Sequence, residues 1–186
     1  MKNPVIFVID MLNDCFGHES LARKRADLCR SINRLTAFAR SKNFPVVWVR
    51  QEYEEDLSDA FLDMQKNNIK MFIKNTPGSR ILDELERKTS DIEIIKKRYS
   101  MFYETGLDEL LAELNPSGLI LAGVNTHACI RMAAIDACQR NFEVCVVREC
   151  VASKDEEHHE VTMQYFIDGG IAEVLGLDEL LESSGI

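Results

Sequence analysis

Gly118-Leu119-Ile120-Leu121-Ala122-Gly123-Val124-Asn125-Thr126-His127-Ala128-Cys129-Ile130-Arg131 is the stretch on which the fold turns. Leu119–Ala122 reads as a strand buried on both faces, Gly123 starts a turn, and Thr126–Arg140 carries apolar residues at helical spacing. Cys129 then falls on the first turn of the helix. There the leading backbone N–H groups lack intrahelical partners and the positive end of the helix dipole lies beside the sulfur. Both effects favour thiolate over thiol, and the same N–H groups can hold an oxyanion. A cysteine at such a junction is either a nucleophile or an inert packing residue.

The same alternation extends along the whole chain. Val5–Ile9, Val46–Val49, Ile92–Ile95, Leu119–Ala122 and Val144–Val147 read as buried strands, with a short sixth near Ala172–Leu175. Between them, helical patterns fall at Ser20–Lys42, Ser79–Arg87, Thr105–Leu114, Thr126–Arg140, Asp155–Gly169 and Leu177–Glu182. Asp155 and Asp178 look like helix starts, and Asn115-Pro116 ahead of Gly118 is a stop signal. Strand–helix alternation throughout predicts an α/β fold: a single domain over residues 1–186, with a doubly wound, Rossmann-like parallel six-stranded sheet and helices on both faces. Gln51–Pro77 breaks the pattern with Glu52, Glu54, Glu55, Asp56 and Asp59, then Lys66 and Lys70. It reads either as a solvated excursion or as a lid or subunit-contact segment over the carboxyl ends of the strands, where such sheets bind ligands.

Bulk properties narrow the function. The 186 residues suffice for one compact core, and 46% hydrophobic with 28% charged content is ordinary for a soluble globular protein. A net charge of −9 with no basic stripe argues against nucleic acid and against an anionic membrane. The six cysteines form no C-x-x-C pair and no zinc spacing, so reduced thiols in a cytoplasmic protein are the expectation. No signal-peptide pattern and no apolar run of about 18 residues is present. The expected partner is a small molecule.

Asp10, Lys96 and Cys129 sit at the carboxyl ends of three predicted strands. In a parallel sheet those ends share one edge, so the residues can converge there. Each alone has an ordinary structural reading, as a helix cap, a solvated strand end or a packing thiol. Acid, cation and thiol together are what acyl transfer through a thioester requires.

Three segments carry a resemblance. Val8-Ile9-Asp10-Met11-Leu12-Asn13-Asp14 is similar to a D-M-x-N-D strand end. Lys96-Lys97-Arg98-Tyr99-Ser100-Met101-Phe102, with Thr105-Gly106-Leu107 after it, is similar to K-x-R-Y-S-A-F and a following T-x-L. Ala122-Gly123-Val124-Asn125-Thr126-His127-Ala128-Cys129 is similar to A-G-V-x-T-x-x-C. In this order and spacing the chain resembles the isochorismatase-like cysteine hydrolases, which include nicotinamidases, N-carbamoylsarcosine amidohydrolases and ureidoacrylate hydrolases. The resemblance implies a catalytic triad of Asp10, Lys96 and Cys129, a cis peptide between Val124 and Asn125, and an oxyanion hole from the N–H groups of Asn125 and Cys129. It also implies C–N bond hydrolysis of a small amide or ureido substrate, without a cofactor, in a homo-oligomer (dimer or tetramer). Lys96 next to the sulfur is expected to lower the thiol pKa.

The chain also departs from those relatives. Nicotinamidases usually carry a D-x-H metal motif after the second strand, where this chain has Gln51 and Tyr53. Neither is a good transition-metal ligand, so no catalytic metal is expected. Leu12 replaces a common Gln, and Cys15 stands where a Phe is usual, open to packing or to a bridge with Cys129. His127 is expected near the pocket mouth, and His158 and His159 on the surface. The substrate-contact candidates are Arg50, Phe16, Phe102 and Thr126. The planar fork of Arg50 suits a carboxylate or ureido group, or else an ion pair with the acidic excursion. Phe16, Phe102 and Tyr103 serve as apolar walls or as core. Competing functions are vinyl-ether hydrolysis of the isochorismate type and a non-catalytic binding module on the same fold.

Overall fold

The computed structural model describes residues 1–182. Its strands are β1 (Pro4–Ile9), β2 (Val46–Gln51), β3 (Ile92–Lys96), β4 (Gly118–Val124), β5 (Glu143–Ala152) and β6 (Glu173–Leu175). The helices are α1 (Glu19–Ser41), α2 (Leu62–Asn67), α3 (Leu107–Leu114), α4 (Arg131–Gln139), α5 (Glu156–Asp168) and α6 (Leu177–Glu182). The strands form one parallel six-stranded sheet in the order β3-β2-β1-β4-β5-β6. Chain order reverses between β1 and β4, and that switch point opens a crevice at the carboxyl ends of the strands.

Burial on both faces explains the continuous apolar runs. Side chains alternate across a strand, so Ile6 and Val8 of β1 enter one core while Val5, Phe7 and Ile9 enter the other. The first core is covered by α1 and α6 through residues such as Leu28, Ile32, Leu35 and Leu180. The second is covered by α3, α4 and α5, with Leu111, Ala133 and Phe166 facing the sheet. Helix ends obey local chemistry: the Asp155 side chain accepts the His158 N–H at 2.9 Å and opens α5, as its sequence position suggests.

Several elements differ from the sequence reading. No helix forms at 79–87; a short 3₁₀ turn, Pro77–Ser79, is followed by turns. The apolar spacing of Ile81, Leu82 and Leu85 is used otherwise: Ile81 bridges Leu12, and the Leu82 N–H donates to the Met11 carbonyl at 3.0 Å. β5 is longer than expected, because its register against β4 shifts between Leu121 and Gly123 and Arg148 and Glu149 point outward. The helix after β4 begins as a π turn, Thr126–Ile130, before α4. Among the described residues, no helix is long and apolar enough to cross a membrane.

Gly123 is required by both backbone and space. Its φ is 117°, and a Cβ there would lie 2.0 Å from the Ile9 carbonyl oxygen on β1. The expected cost of Gly123→Ala is therefore about 4 kcal/mol or more, whereas Gly17→Ala, with nothing within 4 Å, should stay within about 0.5 kcal/mol. Urea unfolding of the two variants beside the wild type measures the contrast.

Candidate active site

Each polar residue of the site is delivered by a strand end. β1 stops at Ile9 and the chain turns at Asp10, whose φ of 53° aims its side chain back across the sheet edge. The Asp10 N–H donates to the Val49 carbonyl at 2.8 Å, and its Oδ1 accepts the Gln51 N–H at 2.9 Å, which locks the carboxylate against β2. β3 ends at Lys96, two strands away from β1. At roughly 4.8 Å per strand, only a long side chain spans that gap. Lys96 is 0% exposed, and its Nζ lies 2.7 Å from Asp10 Oδ2 and 3.3 Å from Cys129 Sγ. Cys129, on the π turn after β4, is 6% exposed. The peptide bond Val124–Asn125 is cis.

Gln51 completes the cluster. It pairs in register with Lys96, its Oε1 accepts from Lys96 Nζ at 2.9 Å, and it lies 3.9 Å from Cys129 Sγ. Its Nε2 donates to the Tyr53 hydroxyl, which in turn donates to the Lys97 carbonyl at 3.2 Å. This chain of donors fixes which end of the amide faces the ammonium. Gln51 and Tyr53 are thus engaged with each other and, through Gln51, with Lys96. Among the described residues, no group of three or more His, Cys, Asp or Glu side chains could hold a metal ion.

The expected downward pull of Lys96 on the thiol is present but does not prevail. Burial first, and then the Asp10 carboxylate, push the Cys129 thiol up to about 12, outweighing the downward pull of Lys96. Lys96 is held above the ordinary lysine value: burial opposes its charge, but Asp10 and the sulfur overcome that. The resting cluster therefore holds an ammonium beside a neutral thiol. The proton leaves sulfur only when something takes it.

The cluster forms the floor of a cavity of about 780 Å³ that Asp10, Gln51 and Cys129 line. The excursion after β2 supplies one wall through Phe61, Met64, Ile69 and Phe72, tied down where Asp14 Oδ2 accepts the Phe72 N–H at 2.6 Å. Tyr99 stacks on Phe61 with ring centroids 4.7 Å apart. His127 lines the opposite wall and bonds to Ser153. Burial, then His158 and Lys154, keep His127 below its usual pKa and so uncharged. Both Cys15 and Cys129 are free thiols, and Cys15 also lines the cavity.

The substrate-contact candidates lie elsewhere. Arg50 is clamped between Glu52 and Glu93 and does not line the cavity. Phe16 packs in the first core, and Phe102 in the second beneath the Arg140 guanidinium. Thr126 is buried, its hydroxyl 2.8 Å from Nδ1 of His159. His159 is correspondingly buried rather than on the surface, while His158 is exposed. A strand-end position locates a residue near the rim but not the direction of its side chain, and the pairing of Arg50 with two carboxylates turns it away. The wall residues had one signal in the sequence: apolar side chains interrupting an otherwise charged loop.

A Rossmann-ordered sheet carrying a buried acid–ammonium–thiol cluster at its switch point defines a class of α/β protein, and similarity to known proteins places the chain in a family. Residues 4–179 match the family described as Isochorismatase domain. Maleamate amidohydrolase of Pseudomonas putida is 27% identical over 150 residues, covering 80% of this chain and 70% of that one. The N-carbamoylsarcosine amidase structure from Thermoplasma acidophilum is 28% identical, with TM-score 0.81 over 95% of this chain and 98% of that one. An isochorismatase family protein from Desulfovibrio vulgaris is 26% identical, with TM-score 0.88 over 97% of both chains. The chain belongs to the isochorismatase family and is a hydrolase.

The electrostatic ordering is directly measurable. Asp10→Asn removes the second-largest upward push on the thiol and leaves Lys96 in place. Iodoacetamide labelling of the Cys129 peptide at pH 7.5 should then accelerate about tenfold or more. In the wild type the same rate should climb with pH through 9 without levelling, since the thiol titrates higher. Equal or slower labelling of Asp10→Asn would contradict this charge balance.

Proposed function

We propose that this hydrolase cleaves the C–N bond of a small amide or ureido substrate through a thioester on Cys129, with Asp10 as proton carrier and Lys96 as fixed cation. The observation that carries the reading is the ammonium of Lys96 placed 2.7 Å from Asp10 and 3.3 Å from Cys129, both of which line the cavity. The amide hydrolases among its relatives support the same class of reaction.

The chemistry follows from the charge state. A neutral thiol beside a carboxylate is a poor nucleophile until its proton moves, so attack and proton transfer are coupled. Asp10 takes the proton as sulfur bonds to the carbonyl carbon, and Lys96 keeps the developing thiolate stabilised. Negative charge arising on the carbonyl oxygen is received by the backbone N–H groups of Asn125 and Cys129 at the start of the π turn. As the C–N bond breaks, Asp10 returns its proton to the nitrogen, and ammonia or an amine departs. Water then attacks the thioester, giving its proton to Asp10, which passes it to sulfur as the acid leaves. Gln51 and Tyr53 take no proton; they hold the ammonium in line.

Cys129→Ala should lower turnover on a true substrate by at least about 10³-fold while leaving the far-UV spectrum unchanged. Rapid quench of the wild type with a panel of carboxamides and ureido acids should give an acyl mass increment on the Cys129 peptide. A variant that retains near-wild-type rates, or vinyl-ether hydrolysis of isochorismate that survives the substitution, would remove the covalent route.

A further inference from the structure

The floor of the cavity is ionic, but its walls are not. Phe61, Met64, Ile69 and Phe72 from the excursion meet Leu21 from α1 and Tyr99 from the segment after β3. The charged groups that share the cavity are already committed or lie at its rim. Asp14 is tied to the Phe72 N–H, and Asp63 accepts from Asn67 at 2.7 Å. His18 and Lys154 are solvent-exposed, and His127 is uncharged. The guanidinium that could read a second carboxylate, Arg50, lies outside and is neutralised by Glu52 and Glu93. A substrate carrying an anionic group on its acyl portion would thus strip that group of water against hydrocarbon, with no cation on those walls to receive it, the buried Lys96 ammonium being held by Asp10. An apolar group gains there, and the paired rings of Phe61 and Tyr99, with flexible Met64 beside them, adapt to flat or branched shapes.

We infer that the substrate is an amide whose acyl portion is uncharged and apolar, an alkyl or aryl group of several carbons filling the wall built by the excursion. This rests on the proposed amide hydrolysis and specifies its substrate class. The excursion is then the specificity element of the fold: it contributes no reacting group and selects by burial.

The test measures kcat/KM for ammonia release by the full chain on acetamide, propionamide, pentanamide, hexanamide, phenylacetamide and succinamate. Each added CH₂ buried on the wall is worth about fourfold, so hexanamide should exceed acetamide by about 10²-fold. Succinamate, similar in length to pentanamide but anionic, should fall at least about tenfold below it. Cys129-dependent turnover that is best on succinamate, or flat along the alkyl series, overturns the apolar assignment while leaving the thioester reaction standing. Turnover that persists in Cys129→Ala overturns the thioester reaction instead. If the wild type cleaves none of these amides, calorimetric binding to Cys129→Ala decides the wall separately. Tighter binding of hexanamide than of succinamate supports it, and equal, weaker or undetectable binding of hexanamide overturns it.

Discussion

A single ammonium group organises this molecule's working end. Lys96 Nζ is withdrawn from water and has three N–H bonds to place. Asp10 Oδ2, Gln51 Oε1, the Arg98 carbonyl and Cys129 Sγ all stand within 3.3 Å of it. A buried cation without partners is costly, and removing one partner of such a pair is typically worth several kcal/mol. The strand ends that carry those partners are thereby held in one arrangement. β3 contributes the cation, β1 the carboxylate, β2 the amide and the turn after β4 the sulfur, so the edge of the sheet is tied together across four strands.

The same ammonium sets the chemistry. In the proposed mechanism it stabilises negative charge at either neighbour, so the proton that passes between Cys129 and Asp10 leaves no uncompensated anion behind. Burial and the Asp10 charge together leave the proton on sulfur at rest. A thiol held neutral is protected from adventitious alkylation and oxidation, because thiolate is the reactive form. In the proposed reaction, activation is tied to a carbonyl arriving above the cluster. The apolar cavity reinforces this: a substrate that fills it expels water, and every charge interaction on the floor strengthens.

Rigidity at the floor contrasts with the construction of the walls. The cluster residues hang on a sheet buried on both faces, and Gly123 lets β4 approach β1 where a side chain would collide. The excursion is built differently. Tyr53, Leu57, Ala60 and Ile73 form a small core of their own, and Asp14 binds its backbone to the turn after β1. A loop with its own core can change sequence without disturbing the sheet, the physical condition for varying selectivity while keeping the reaction.

Much of this was legible in the chain itself. Apolar runs of strand length alternating with helical spacing determine a parallel sheet, because strands buried on both faces need helices on both sides. The positions of Asp10, Lys96 and Cys129 after those runs place them at one edge, since every strand of a parallel sheet points the same way. Side-chain direction was not legible. Arg50 ends a strand just as Lys96 does, yet one points into carboxylates outside the cavity and the other into the site. Gln51 and Tyr53 were readable only as poor metal ligands, because their hydrogen-bonded chain depends on the register between β2 and β3. The thiol was pushed up first by burial, which depends on every element packed around the sulfur, and then by Asp10, which lies far away along the chain. Periodicity is a local property and determined the fold; direction, pairing and desolvation arise between distant segments, and only the tertiary structure decided them.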